Sequence, residues 1–192
     1  MNRAVLISIK PRWCELIADG KKTLEVRRTR PRMLAPFKVY IYETRGDERF
    51  GNAAYNSVKI GNGRGKVIGE FICDWCDVYM RNSADISELA LQSLVQQSDL
   101  YVYMGEKNYL YGWHITDLIM YGTPKELSEF YRWWDGTNDI RPCQNGRNCK
   151  HLIYDYSENC QACAIDFDGT DCPFLKVQRP PQSWGYVEKL EE

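Results

Sequence analysis

The chain has 192 residues, 44% hydrophobic and 27% charged, which excludes an intrinsically disordered protein and suits one domain, or one domain with a sizeable insert. Its 25 lysines and arginines face 26 aspartates and glutamates, so overall charge selects no partner and only local clustering is informative. No stretch reaches the ~20 apolar residues of a membrane span, and the apolar start from Ala4 to Ile9 meets Lys10-Pro11 too soon for a secretory leader.

A cytoplasmic protein is expected, with its eight cysteines as thiols or metal ligands. Val5 to Ile9 predicts a strand. Pro11 opens a helix whose apolar face is Trp13, Leu16 and Ile17, and Gly20 stops it. Thr23 to Arg28 predicts a strand, Pro31 and Pro36 bracket a loop, and Phe37 to Tyr42 alternates as a strand. The glycine- and asparagine-rich run 45–65 reads as a loop or loose hairpin. Lys66 to Cys73 predicts a strand, Ile86 to Gln97 a helix, Trp113 to Tyr121 a strand, and Pro124 to Phe130 a short helical turn. The segment 135–173 is polar and holds five cysteines, so it reads as an insert. The rest, 1–134 plus 174–192, forms one unit closed by a last strand near Trp184 to Val187. Many short strands and few helices predict an α+β fold: a small β-barrel with helices packed outside.

Charge is uneven. Residues 1–32 carry Arg3, Lys10, Arg12, Lys21, Lys22, Arg27, Arg28, Arg30 and Arg32 against Glu15, Asp19 and Glu25. Such a basic lobe reads either as a phosphate-binding face or as a solvated surface. Within it lies Gly20-Lys21-Lys22-Thr23-Leu24-Glu25-Val26-Arg27. Glu25 and Arg27, two apart on a strand, share a face, and Lys22 stands at the strand's mouth. Arginine offers a planar fork to phosphate or a base edge, lysine a point charge. A salt-bridged strand edge is the plain alternative.

The pattern Gly20-x-Lys22-x-x-Glu25-x-Arg27 resembles the motif of the ASCH family, small barrels related to PUA domains. So do Ile7 to Pro11 with Trp13, the strand Lys66 to Glu70, the segment Tyr111 to Ile115 and the run Arg179 to Trp184, which are similar to phage- and bacterial-type members. The resemblance implies a barrel with a cleft that binds RNA or modified nucleotides. Small ASCH amidohydrolases that deacetylate acetylated cytidine are similar at Lys22 but use threonine where this chain has Glu25.

Trp13 and Trp184, each beside a proline-bounded turn and charged residues, are the stacking candidates for an unpaired base. His114 reads as structural. Cys143, Cys149, Cys160, Cys163 and Cys172 crowd a segment too polar to order itself, and Cys160-x-x-Cys163 is a tight chelate. Structural zinc on four of the five is expected, with His151 as a substitute ligand and disulfides or free thiols as alternatives. Cys73-x-x-Cys76 reads as two ordinary cysteines on opposite faces of one strand.

The leading reading is a non-catalytic module that binds single-stranded or structured RNA, or a nucleotide. Gly20, Lys22, Glu25, Arg27, Trp13 and Trp184 would form the ligand site. One alternative is a hydrolase of a modified nucleoside such as N4-acetylcytidine, with Lys22 and Glu25 activating water. Another is a protein-interaction adaptor working through the insert.

Overall fold

The computed structural model describes residues 3–45, 65–133 and 176–190. Among these, eight strands and three α-helices follow one another as β1 (Arg3–Ile9), α1 (Pro11–Ala18), β2 (Leu24–Arg27), β3 (Phe37–Glu43), β4 (Val67–Cys73), β5 (Cys76–Met80), α2 (Ser83–Ser93), α3 (Gln97–Met104), β6 (Tyr109–His114), β7 (Thr116–Lys125) and β8 (Trp184–Glu188). A 3₁₀ turn, Leu127–Glu129, follows β7.

Ala4 to Ile9 are all buried, and a strand hidden on both faces belongs in the middle of a sheet. β1 accordingly pairs parallel with β3 and antiparallel with β8. The five-stranded sheet runs β7-β4-β3-β1-β8. Alternation sends Val5, Ile7, Ile9, Val39 and Ile41 to one core with Phe71 and Trp113. Ala4, Leu6, Tyr40 and Tyr42 go to a second core with Phe130 and Val187. Each fully buried aliphatic side chain there contributes about 1.5–3 kcal/mol.

The smaller sheet runs β2-β6-β5. Leu24, Val26, Tyr79 and Leu110 pack beneath Ile86 and Leu89 of α2 and Leu100 and Met104 of α3. Asn82 caps α2 by accepting from the Asp85 backbone N–H at 3.0 Å. The sheets meet at a corner where the chain crosses twice, from β4 to β5 through Asp74-Trp75 and from β6 to β7 through Ile115. The crossings are tied together: the His114 N–H donates to the Trp75 carbonyl at 3.0 Å and Thr116 Oγ1 to the Ile72 carbonyl at 2.9 Å.

The expected closed barrel is corrected here: among the described residues the two sheets are open. The reason lies at the seam between β2 and the β1–β8 side of the larger sheet. β2 is four residues long and pairs only with β6, so no backbone ladder spans that seam. Side chains cross it instead. Arg27 donates through Nη2 to the Ser8 carbonyl at 2.7 Å and through Nη1 to Ser183 Oγ at 3.3 Å. Trp184 Nε1 donates to Thr29 Oγ1 at 3.0 Å. The α+β composition stands. The strand expected over Trp113 to Tyr121 divides at Ile115, and β5 and α3 were not anticipated.

Candidate functional site

The charged motif owes its shape to the end of α1. Gly20 takes φ +69°, in the left-handed region that favours glycine. A Cβ there would meet nothing within 4 Å, so backbone conformation rather than space selects the glycine. The turn is closed by the Lys21 and Lys22 N–H groups, both donating to the Leu16 carbonyl at 2.9 Å. It leaves Lys21 exposed and drives Lys22 inward.

Lys22, Glu25 and Arg27 come together and are buried, at 2%, 6% and 8% exposure. Glu25 sits between the two cations. Its Oε1 accepts from Arg27 Nη2 at 2.9 Å and its Oε2 lies 3.4 Å from Lys22 Nζ. Lys22 Nζ also donates to the Ser93 carbonyl at 2.8 Å, the last residue of α2, where the helix dipole favours a cation. Burial pushes the Lys22 ammonium below its ordinary pKa, and the Glu25 carboxylate opposes that shift. The triad is therefore a compensated ionic plug in the seam.

Its surroundings form one continuous sheet face. In the β2-β6-β5 register Glu25 stands opposite Trp113 and Trp113 opposite Cys76. Arg27 stands opposite Tyr111, Tyr111 opposite Val78, and Tyr109 opposite Met80. Alternation puts all of these on the face turned away from α2 and α3. Exposure rises along it: Trp113 is fully buried, Tyr111 and Tyr109 are half-buried, and Val78 and Met80 are 48% and 46% exposed. The tyrosine rings meet edge-on at 5.4 Å. The Arg30 guanidinium lies 5.6 Å from the Tyr111 ring centre and Lys107 Nζ lies 5.8 Å from that of Tyr109. At the buried end, Arg27 Nε and Trp113 Nε1 have no acceptor among the described residues.

Trp184 packs on Trp113 with ring centres 5.8 Å apart. Trp13 lies on the other side of the triad, 5.0 Å from Lys22 Nζ and 4.1 Å from the Arg12 guanidinium. All six residues expected at the site thus gather around the seam, but the three charged ones face one another. Tyr109, Tyr111, Arg30 and Lys107 were not anticipated as a group. Their signal was the alternation Tyr109-x-Tyr111-x-Trp113, legible only once β6 is separated from β7.

A second space, a cavity of about 780 Å³, lies behind Ser8 and is lined by Ser8, Tyr42, Arg45, Ser128, Gln178 and Gln182 among others. Ser8 links it to the triad, since its carbonyl accepts from Arg27. At the corner, His114 Nε2 lies 2.9 Å from Asp77 Oδ2, which makes it a structural partner of β5.

Cys73 and Cys76 do not lie on one strand. Cys73 ends β4, Cys76 begins β5, and the break between them brings the two Sγ atoms to 3.5 Å. The expectation of zinc finds no support in the described residues, where no group of three His, Cys, Asp or Glu side chains is placed to hold a metal. Cys143, Cys149, His151, Cys160, Cys163 and Cys172 lie outside the described residues. No helix among the described residues is long and apolar enough to cross a membrane.

No protein-family profile and no curated protein matches the chain. Among solved structures, the chain is similar to ASCH from Zymomonas mobilis at 20% identity and a TM-score of 0.50, over 65% of this chain and 73% of that one. A mutant of the same protein aligns at 18% identity and a TM-score of 0.47, over 65% and 76% of the two chains. A second mutant aligns at 18% and 0.48, over 66% and 75%. The likeness is one of fold.

Proposed function

We propose that the chain is an ASCH-type module that binds RNA or a nucleotide at the seam between its two sheets. The carrying observation is the open face of the smaller sheet. It presents two half-buried tyrosines, each with a cation near its ring, and runs inward to two buried N–H donors that have no acceptor among the described residues. Aromatic rings on a sheet stack unpaired bases, and arginine and lysine beside them take phosphate. In this reading Lys22, Glu25 and Arg27 shape the seam, and Arg30, Tyr111, Tyr109 and Lys107 make most of the contact, with Trp13 and Trp184 at its borders. The fold likeness to an ASCH structure and the motif Gly20 to Arg27 support the assignment.

The test is fluorescence anisotropy of a labelled single-stranded RNA pool at several salt concentrations. Tyr111→Ala is expected to weaken binding by about 1–3 kcal/mol, the worth of one stacked base. Arg30→Ala is expected to lower the salt slope by about one unit, the mark of one lost phosphate contact. Arg45→Ala, in the cavity, is expected to bind as wild type. Loss confined to Arg45→Ala would move the ligand to the cavity, and wild-type affinity in all three would overturn RNA binding at either place.

A further inference from the structure

The corner between the sheets holds a second piece of chemistry that owes nothing to RNA. Cys73 and Cys76 are joined by the two-residue crossing Asp74-Trp75, and their sulfurs stand 3.5 Å apart. The two thiols are not equivalent. Cys73 is buried and its Sγ also lies 3.2 Å from the Trp75 carbonyl. Cys76 is half-buried, beside Trp75, which is 60% exposed, and the exposed Asp74. A dissolved reagent therefore meets Cys76 first, with Cys73 directly behind it.

We propose that Cys73 and Cys76 form a thiol–disulfide exchange site, in which Cys76 attacks a low-molecular-weight disulfide and Cys73 resolves the product. In the first step the Cys76 thiolate bonds to one sulfur of the disulfide, its S–S bond breaks, and one thiolate leaves with the electron pair. In the second, Cys73 gives its proton to solvent and attacks Cys76 Sγ, which expels the second thiolate. The protein loses two electrons and two protons, and the small disulfide becomes two thiols. The local electrostatics agree with this division of roles. The hydrogen bond between the two thiols, aided by the Arg30 guanidinium, draws the Cys76 thiol below its ordinary pKa, against burial and the Asp77 and Asp74 carboxylates. The same hydrogen bond, together with burial, pushes Cys73 up.

The position gives the reaction a consequence. The crossing is held by the His114 N–H on the Trp75 carbonyl and by Thr116 Oγ1 on the Ile72 carbonyl, and Cys76 is in register with Trp113. A Cys73–Cys76 bond would draw together the end of β4 and the start of β5 at the buried end of the open face.

The experiment treats the full chain with oxidised glutathione and follows each cysteine by differential alkylation and peptide mass mapping. The expected course is a transient glutathione adduct on Cys76, then joint loss of the Cys73 and Cys76 thiols with no glutathione retained, while buried Cys14 stays free. Cys73→Ser should trap the adduct on Cys76, and Cys76→Ser should leave Cys73 unmodified. The wild-type time course needs no variant, so a misfolded substitution does not blunt the test. Persistence of both thiols at a glutathione potential that oxidises a surface dithiol, or first attachment at Cys73, would overturn the proposal. RNA binding has no part in the readout, so either reading can fail alone.

Discussion

The two sheets bury their central residues by opposite means. In the larger sheet β1 and β3 offer Val5, Ile7, Val39 and Ile41, each fully buried, to one apolar core. In the smaller sheet the seam face of β2 offers Glu25 and Arg27, almost as deeply buried, with Lys22 beside them. The apolar core gains by removing hydrocarbon from water. The seam gains little from burial, because desolvating charge is costly, and it holds only while each charge keeps its partner. One region is therefore graded in its response to substitution, and the other is all-or-none.

Glu25→Ala is the strongest way to break that contrast. It leaves Lys22 and Arg27 facing each other in a buried site, and removing one member of a buried ion pair costs about 3–5 kcal/mol. Urea denaturation should show a loss of that size, with Glu25→Gln recovering part of it through its hydrogen bonds. A loss under about 1 kcal/mol, the worth of an exposed pair, would mean the cations reach solvent and the seam is no plug.

Ile41→Val tests the other half. It removes one methylene from a site fully enclosed by β1, β4 and their core, and should cost about 0.5–1.5 kcal/mol. The size should follow the volume removed, with no larger penalty. A loss as great as that for Glu25→Ala would erase the distinction between the regions.

What the sequence made legible divides along the same line. Regular elements with strong punctuation were readable. Pro11 and Gly20 bracket α1, and the apolar runs gave β1, β3 and β4 almost to the residue. The motif's spacing correctly put Glu25 and Arg27 on one face. Spacing could not say what covers that face, so Lys22 and Arg27, expected to meet a ligand, are found held by Glu25. Closure failed for a related reason. Well-formed first and last strands do pair, as β1 with β8, but a barrel also needs β2 to continue the ladder, and its four residues end before they can. The corner was the least legible part. Cys73 to Cys76 and Trp113 to Tyr121 each read as unbroken strand, because the breaks at Asp74-Trp75 and Ile115 depend on the two crossings bonding to each other.

The smallest expected effect separates two adjacent lysines and depends on pH. Lys21 is exposed and paired with Asp19 at 2.8 Å, whereas Lys22 lies in the seam. Burial lowers the Lys22 pKa below 10.5 in the folded chain. Between that lowered value and 10.5 the unfolded chain binds more protons than the folded one, so stability attributable to this group rises with pH. Below the window both states are protonated and the cost of burying the charge is borne in full. Wild type should therefore gain stability relative to Lys22→Met as pH is raised toward 10.5. Lys21→Met, changed at the surface, should leave the midpoint near that of wild type at neutral pH. A wild type that instead lost ground to Lys22→Met on the alkaline side would show the ammonium held by Glu25 and Ser93 more strongly than burial repels it. The seam would then be a net attraction for charge rather than a compensated cost.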